Sequence, residues 1–349
     1  MEEVFNRIIE LVKASALAAE DKCVKFSDPS YKAFDFDIRN FHKIEDISNK
    51  SNKIAFIDCG SAEIIRSANF SLSMIRVYYS ICKNNSRIKS EKKEFYAFTT
   101  AIDKDNEIFY NTEIISGENI IPDRNDLLLN SFDETIRQGV TRANISNVSN
   151  LVRRFSELNT ALSLVEILGR NDIIVLDGSL QCTFTNERKY MDNLLDKAMK
   201  EEIIICGLSK TTTLMTDKGN SVNNALAKFG IKGKWAYNPV ADIKSNEHKA
   251  DISFVKLHEK SKHIFRFEIY KEQKEKLIEA ASLLAANSSD PVFIGYPYGL
   301  VDADKNARIS NNEKDMLKTF FSVKFGKDWE KIKESLTSVD AHEILDSIG

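Results

Sequence analysis

The sequence predicts an α/β fold in which helices flank a mixed β-sheet, with a helix ahead of the sheet and a helical extension behind it. Three observations lead there. Two continuous apolar runs, Ile54-Ala55-Phe56-Ile57 and Ile173-Ile174-Val175-Leu176, each stop at an aspartate and meet Gly and Ser at once (Asp58-Cys59-Gly60-Ser61 and Asp177-Gly178-Ser179). A β-branched run bounded by a turn signal reads as a strand buried on both faces. Between the two runs lie further β-rich segments and a hairpin signal, whereas after the second run helix and strand patterns alternate. Short crossovers of that kind demand parallel pairing in the second half of the sheet. A ribonuclease-H-like sheet has this layout and is one option among several.

In chain order, residues 1 to about 25 place Val4, Ile8, Ile9, Leu11, Val12 and Leu17 at helical spacing, one amphipathic helix. The first strand begins near Lys53 and a second covers 71–82. Strands over 94–102 and 107–115 form a hairpin around Asp103-Lys104-Asp105-Asn106. Pro122-Asp123 opens a helical region that runs, with a break near 144–149, to about Leu168. Then come a strand (172–177), a helix (187–200) and a strand (202–208). Later elements are strands at 251–257 and 263–270, a helix at 272–287, a short strand at 292–295 and a helix from about 304. In 328–346, Trp329, Ile332, Leu336 and Ile344 form a packing stripe.

Bulk properties narrow the function. A hydrophobic content of 42% in 349 residues suits one large core or two modest ones. The formal charge of −3 exerts no global pull on nucleic acid, so a polyanion site must be a local basic surface. Five scattered cysteines without a C-x-x-C pair point to free thiols in a reducing, cytoplasmic compartment and offer no zinc framework. The acidic start Met1-Glu2-Glu3 is no signal peptide, and no apolar run reaches membrane-spanning length. Five histidines lack H-x-x-x-H spacing, which argues against a zinc hydrolase.

Asp58 and Asp177 are the first site candidates. Either one, taken alone, reads as an Asx-turn acceptor. Two carboxylates on neighbouring strands of one sheet also make a cation site, since close like charges require a positive partner. Glu157 is the third. It lies beside the apolar stripe Leu151, Phe155, Leu158, Leu162 and Val165, half-buried, and reads either as an i,i+3 ion pair with Arg154 or as a further hard oxygen ligand. Lys210 follows the strand ending in Gly207-Leu208-Ser209 and either neutralises a phosphate or is solvated. The missing first glycine makes a Walker loop a poor reading there. In Gly295-Tyr296-Pro297-Tyr298 the tyrosines stack on bases or pack the turn, and Asp304 is placed to cap a helix over 304–310. Phe265-Arg266-Phe267-Glu268-Ile269 alternates strictly, which pairs Arg266 with Glu268 on one strand face.

These segments, IAFIDCGS, RRFSEL, DIIVLDGSL, IIICGLSKT, IFRFE and GYPYGLVDADKNARIS, together resemble the NurA family of archaeal-type DNA-repair nucleases, in the family's order over residues 54–310. The resemblance implies a ribonuclease-H-like nuclease domain with insertions at 51–310, an N-terminal helix and arm at 1–50, and C-terminal helices at 311–349. It also implies a homodimer that degrades DNA with Mn²⁺ (Mg²⁺ being the alternative ion). The expected activities are 5′ to 3′ exonuclease and single-strand endonuclease, in end resection beside a HerA-type hexameric ATPase. By the same resemblance Asp58, Glu157 and Asp177 match the acidic metal ligands, Lys210 the G-x-x-K-T lysine, and Tyr296 the tyrosine of the G-Y-P turn. Asp304 matches a position that holds an acid or a histidine, and as an acid it joins the metal ligands. Glu134, Glu166 and Arg154 offer competing registers on the same helical region. Cys59 departs from the family, which favours a smaller residue after the aspartate.

Two other classes fit parts of the pattern. An actin-like sugar kinase or ATPase also places Asp-Gly-Ser turns around phosphates, but it needs glycine-rich hairpins that a chain with 13 glycines and no G-G-G-T-like segment does not provide. A non-catalytic translocase adaptor would dock through the terminal helices.

Overall fold

The computed structural model describes residues 1–16, 21–46, 52–116, 122–333 and 336. Helix α1 (Glu2–Ala16) leaves Val4, Phe5, Ile8, Ile9, Leu11 and Val12 exposed. It does not continue to residue 25, as its periodicity predicted; Leu17 lies outside the described residues. Val24–Lys25 is instead a strand, β1, paired with Met215–Thr216, a distant partner that helical spacing cannot report. β2 (Tyr31–Ala33) and β3 (Phe41–Lys43) complete this arm.

The core opens with an antiparallel meander of β4 (Lys53–Arg66), β5 (Phe70–Lys83), β6 (Ser86–Lys104) and β7 (Glu107–Ile115). Two-residue turns at Asn84-Asn85 and Asp105-Asn106 close its second and third hairpins. All four residues have φ between 50° and 64°, which short polar side chains tolerate and which matches the strand twist. The hairpin at 103–106 was expected; the one at Asn84-Asn85 was not.

The expected helical region from Pro122 is helical over most of its length only from α2 (Val148–Leu164). Before that, β8 (Leu128–Asn130) joins the sheet edge through β7. The side chains of Asn130, Asp133 and Asn144 accept backbone N–H bonds from Phe132, Thr135 and Ser146 respectively. Such local bonds compete with helix formation and explain the difference. β9 (Ile173–Asp177), α3 (Glu187–Lys200) and β10 (Ile204–Ser209) follow close to their expected places. Between β10 and the later strands lie β11 (Met215–Thr216), α4 (Val222–Ala227), β12 (Trp235–Tyr237) and β13 (Ala241–Ile243). Then come β14 (Ala250–Lys256) and β15 (Phe265–Tyr270).

Among the described residues eleven of these strands build one sheet, ordered β3-β12-β14-β15-β10-β9-β4-β5-β6-β7-β8, while β1 with β11 and β2 with β13 pair separately. Its two parallel ladders are β4–β9 and β9–β10. The central five, β6-β5-β4-β9-β10, have the ribonuclease-H-like order, with α2 leading into β9 and α3 into β10.

Strand parity sorts the core into two layers. Ala55, Ile57, Ile174 and Leu176 face a layer with Leu151, Phe155 and Leu158 of α2 and Leu194 of α3. Phe56, Ile173 and Val175 face the other layer, with helices α5 (Leu277–Ala286) and α6 (Tyr298–Ala307). Each fully buried Val, Leu, Ile or Phe side chain among them contributes roughly 1.5–3 kcal/mol of hydrophobic stabilisation.

Two expectations near the C-terminus are corrected. Residues 292–295 form turns rather than a strand, with Gly295 at φ +94°. The following helix begins at Tyr298, so Asp304 lies in its last turn and caps nothing at an N-terminus; its carbonyl accepts from the Arg308 N–H at 3.0 Å. α7 (Asn311–Phe325) starts with a Ser310/Glu313 capping box. Trp329, Ile332 and Leu336 pack with Ile64, Ile65 and Met74, as a packing stripe should, while Ile344 lies outside the described residues. All five cysteines are free. Among the described residues no helix is long and apolar enough to cross a membrane.

Candidate active site

The parallel ladder between β4 and β9 pairs Ile54 with Ile173 and Ile57 with Leu176. Asp58 and Asp177 therefore come one residue after its last rung, side by side and on the α6 face. β9 ends there, and the chain turns through Gly178 at φ +131°, a conformation that suits glycine. β4 does not end. It runs on through Cys59, Gly60 and Ser61 because β5 continues to pair with it as far as Arg66. The expected turn after Asp58 is thus a strand interior, and no phosphate-binding hairpin exists at that position.

Gly60 serves another purpose. A Cβ there would overlap the carbonyl oxygen of Ala307 at the end of α6. The bare backbone lets α6 close over β4 and carry Asp304 to the two strand aspartates. Ligand oxygens of Asp58, Asp177 and Asp304 all lie within 4.8 Å of one another. They line an open cleft of about 600 Å³ shared with Arg153, Ser209, Lys210, Thr211 and Arg308.

Lys210 stands just past β10, and its Nζ donates to Asp177 Oδ2 at 2.6 Å and to Asp304 Oδ1 at 2.7 Å. Tyr296 is fully buried, and its hydroxyl donates to Asp177 Oδ1 at 3.3 Å. Its ring stacks on Phe293 and tilts against Phe265, so base stacking, one of the expected roles, is closed to it. The tyrosine instead braces an acid.

Glu157 falls outside the mutual 4.8 Å group. α2 lies on the opposite layer from the face that carries the aspartates, and Glu157 reaches their neighbourhood from below. Arg154 binds it at 2.9 Å, as the i,i+3 reading expected, and the same guanidinium binds Glu187 at 2.7 Å and the Ser179 carbonyl at 2.9 Å. Glu157 Oε1 is buried without a hydrogen-bond partner. The competing registers lead elsewhere: Glu134 and Glu166 form surface ion pairs with Arg137 and Lys197.

The electrostatics are those of a crowded acid cluster. Burial, then the charges of Asp177 and Glu157, push the Asp58 carboxyl up to about 7. Burial also raises Asp177, against the pull of Lys210, and raises Glu157 against Arg154. Burial opposes the charge on Lys210, but Asp177 and Asp304 outweigh it and hold the ammonium above its ordinary value. Hard carboxylate oxygens beside an unpartnered buried Glu157 oxygen fit a hard divalent cation such as Mg²⁺ or Mn²⁺.

Arg153 and Arg308 belong to the cleft but were not singled out by the sequence. Arg153 donates to the Cys59 carbonyl at 2.8 Å, and Arg308 stands exposed at the rim. Both lie inside the quoted segments RRFSEL and NARIS, where the arginines themselves were the available signal. Arg266 pairs with Glu268 at 2.5 Å as expected; Glu268 also accepts from the Leu180 N–H at 2.7 Å and lies 2.9 Å from buried His248.

The fold and the acid cluster together define a ribonuclease-H-like protein whose two strand aspartates meet just past the last rung of a parallel ladder, beside the acid of α6. The family model described as the NurA domain matches residues 52–309, and the chain belongs to the NurA family of nucleases. Its fold is similar to that of the NurA nuclease from Sulfolobus solfataricus, at 14% identity and a TM-score of 0.50, with 93% of this chain and 95% of that chain covered. The catalytic domain of human endonuclease V is a more distant likeness, at 11% identity and a TM-score of 0.36, over 92% of this chain and 98% of that one. No curated protein sequence matches the chain.

Proposed function

We propose that the protein is a metal-dependent deoxyribonuclease that hydrolyses phosphodiester bonds with two divalent ions, Mn²⁺ by preference. The observation that carries this reading is the meeting of Asp58, Asp177 and Asp304 within 4.8 Å in an open cleft with a basic rim. Asp58, Asp177 and Asp304 hold the cations, and Glu157 supports them from the opposite layer with its unpaired oxygen. Bound divalent ions supply activation of water and neutralisation of charge on the scissile phosphate. The chain's own groups do the positioning. Arg153, Lys210 and Arg308 draw the phosphate backbone into the cleft, and Tyr296 fixes the rotamer of Asp177. In this reading, which membership of the NurA family supports, the activities are 5′ to 3′ exonuclease and single-strand endonuclease in end resection, performed by a homodimer with a HerA-type hexameric ATPase.

Purified full-length protein with Mn²⁺ is expected to shorten end-labelled single- and double-stranded DNA, and chelator is expected to stop it. Silence with Mn²⁺ and Mg²⁺ alike would overturn the nuclease reading. Tight ATP binding without DNA cleavage would support the kinase class instead.

A further inference from the structure

Lys210 occupies the oxygens that a cation needs. Its Nζ bridges Asp177 Oδ2 and Asp304 Oδ1, at 2.6 and 2.7 Å, short distances typical of charge-assisted bonds. One bridge end is a strand aspartate whose side chain is 11% exposed and the other is the half-exposed acid of α6, so the ammonium spans the gap between sheet and helix. We propose that Lys210 is a built-in competitor of the divalent ion: the ion binds by displacing its ammonium, and the lysine sets how tightly the site holds metal.

This inference rests on the metal-binding reading of the site and goes beyond it. Three acids within 4.8 Å repel one another, and a single lysine on a flexible four-carbon stem neutralises part of that repulsion. Such a group is well suited to leave. It sits at the mouth of the cleft, with its side chain 36% exposed, and has open solvent to swing into. A residue that merely holds the site together would weaken metal binding when removed. A competitor does the opposite.

The test is Mn²⁺ binding by calorimetry, with no DNA present, on the wild type and on Lys210→Met, with circular dichroism to confirm the fold. The variant is expected to bind Mn²⁺ about tenfold more tightly or better, the gain from freeing two charge-assisted contacts. Its melting temperature in chelator should fall, while its Mn²⁺-induced rise in melting temperature should exceed that of the wild type. Equal or weaker Mn²⁺ affinity in the folded variant overturns the inference and leaves the nuclease reading standing. No Mn²⁺ binding by the wild type overturns both. Should Lys210→Met fail to fold, Lys210→Gln carries the same expectation.

Discussion

Asp58 and Asp177 follow the same kind of strand, at the same level of the same sheet, yet their backbones do opposite things. β9 stops at Asp177 because the chain must dive under β10, where Gly178 N–H bonds the Leu208 carbonyl at 3.1 Å. β4 passes straight through Asp58 because β5 goes on pairing with it, from Cys59 opposite Val77 to Arg66 opposite Ser71. Asp177 is braced by Lys210 and Tyr296, whereas Asp58 has the neighbouring Cys59 N–H at 2.7 Å and two acids for company. One motif thus yields two kinds of carboxylate: a supported one where a strand gives way to a turn, and a crowded one in the middle of a strand. Rigidity and support come from different sources, and a cation site needs both.

The largest effect expected is on chemistry. Asp58→Asn and Asp177→Asn should each lower DNA cleavage by at least about 10²–10³-fold, the scale of losing one group that stabilises developing charge. Equal loss would show that the two aspartates act as one unit despite their different settings; cleavage retained by either variant would sever the pair.

Glycine substitutions come next and separate the two backbones. Gly207→Ala presses a Cβ into the Gly178 carbonyl oxygen and attacks the turn, while Gly60→Ala presses one into Ala307 and attacks the seat of α6. Overpacking of this kind costs roughly 1–3 kcal/mol in denaturant unfolding. Gly60→Ala should also weaken Mn²⁺ binding, because it lifts Asp304 away from the strand acids. Unchanged affinity would mean that α6 is not the arm that completes the site.

The smallest effect is a change of stability in chelator. The folded-state carboxyl of Asp58 lies near 7, above its unfolded value, so the folded state retains a proton that the unfolded chain has lost. Stability therefore falls as pH rises from about 4 to 7, and the penalty is complete above that window. Asp58→Asn should raise stability at pH 8 by about 1–3 kcal/mol and leave it nearly unchanged at pH 4. Asp177→Asn should gain less, since Lys210 already offsets that charge. A larger gain at Asp177 would reverse the contrast between the two positions.

Much of the fold was legible because periodicity reports burial direction. Ile173–Asp177, Glu187–Lys200 and Ala250–Lys256 could be placed from local pattern, and Asp105-Asn106 announced its turn. Where residues 122–147 were misread as helical, Asn and Asp side chains had captured the backbone in turns. The site was legible in part. Asp58, Asp177 and Lys210 could be proposed from strand ends, but Gly60 looked like punctuation although its function is to admit a helix, and Arg153 and Arg308 carried no periodic signal.

By itself, the sequence determined which runs become buried strands, where the two aspartates fall along them, and which helix faces turn inward, because these follow from local backbone preference and side-chain alternation. The tertiary structure alone decided that β4 continues past its aspartate, that α6 brings Asp304 and the Lys210 bridge to the pair, and that Glu157 approaches from the other layer. Those outcomes depend on ladder partners and close backbone approaches between residues far apart in the chain, and no local pattern encodes them.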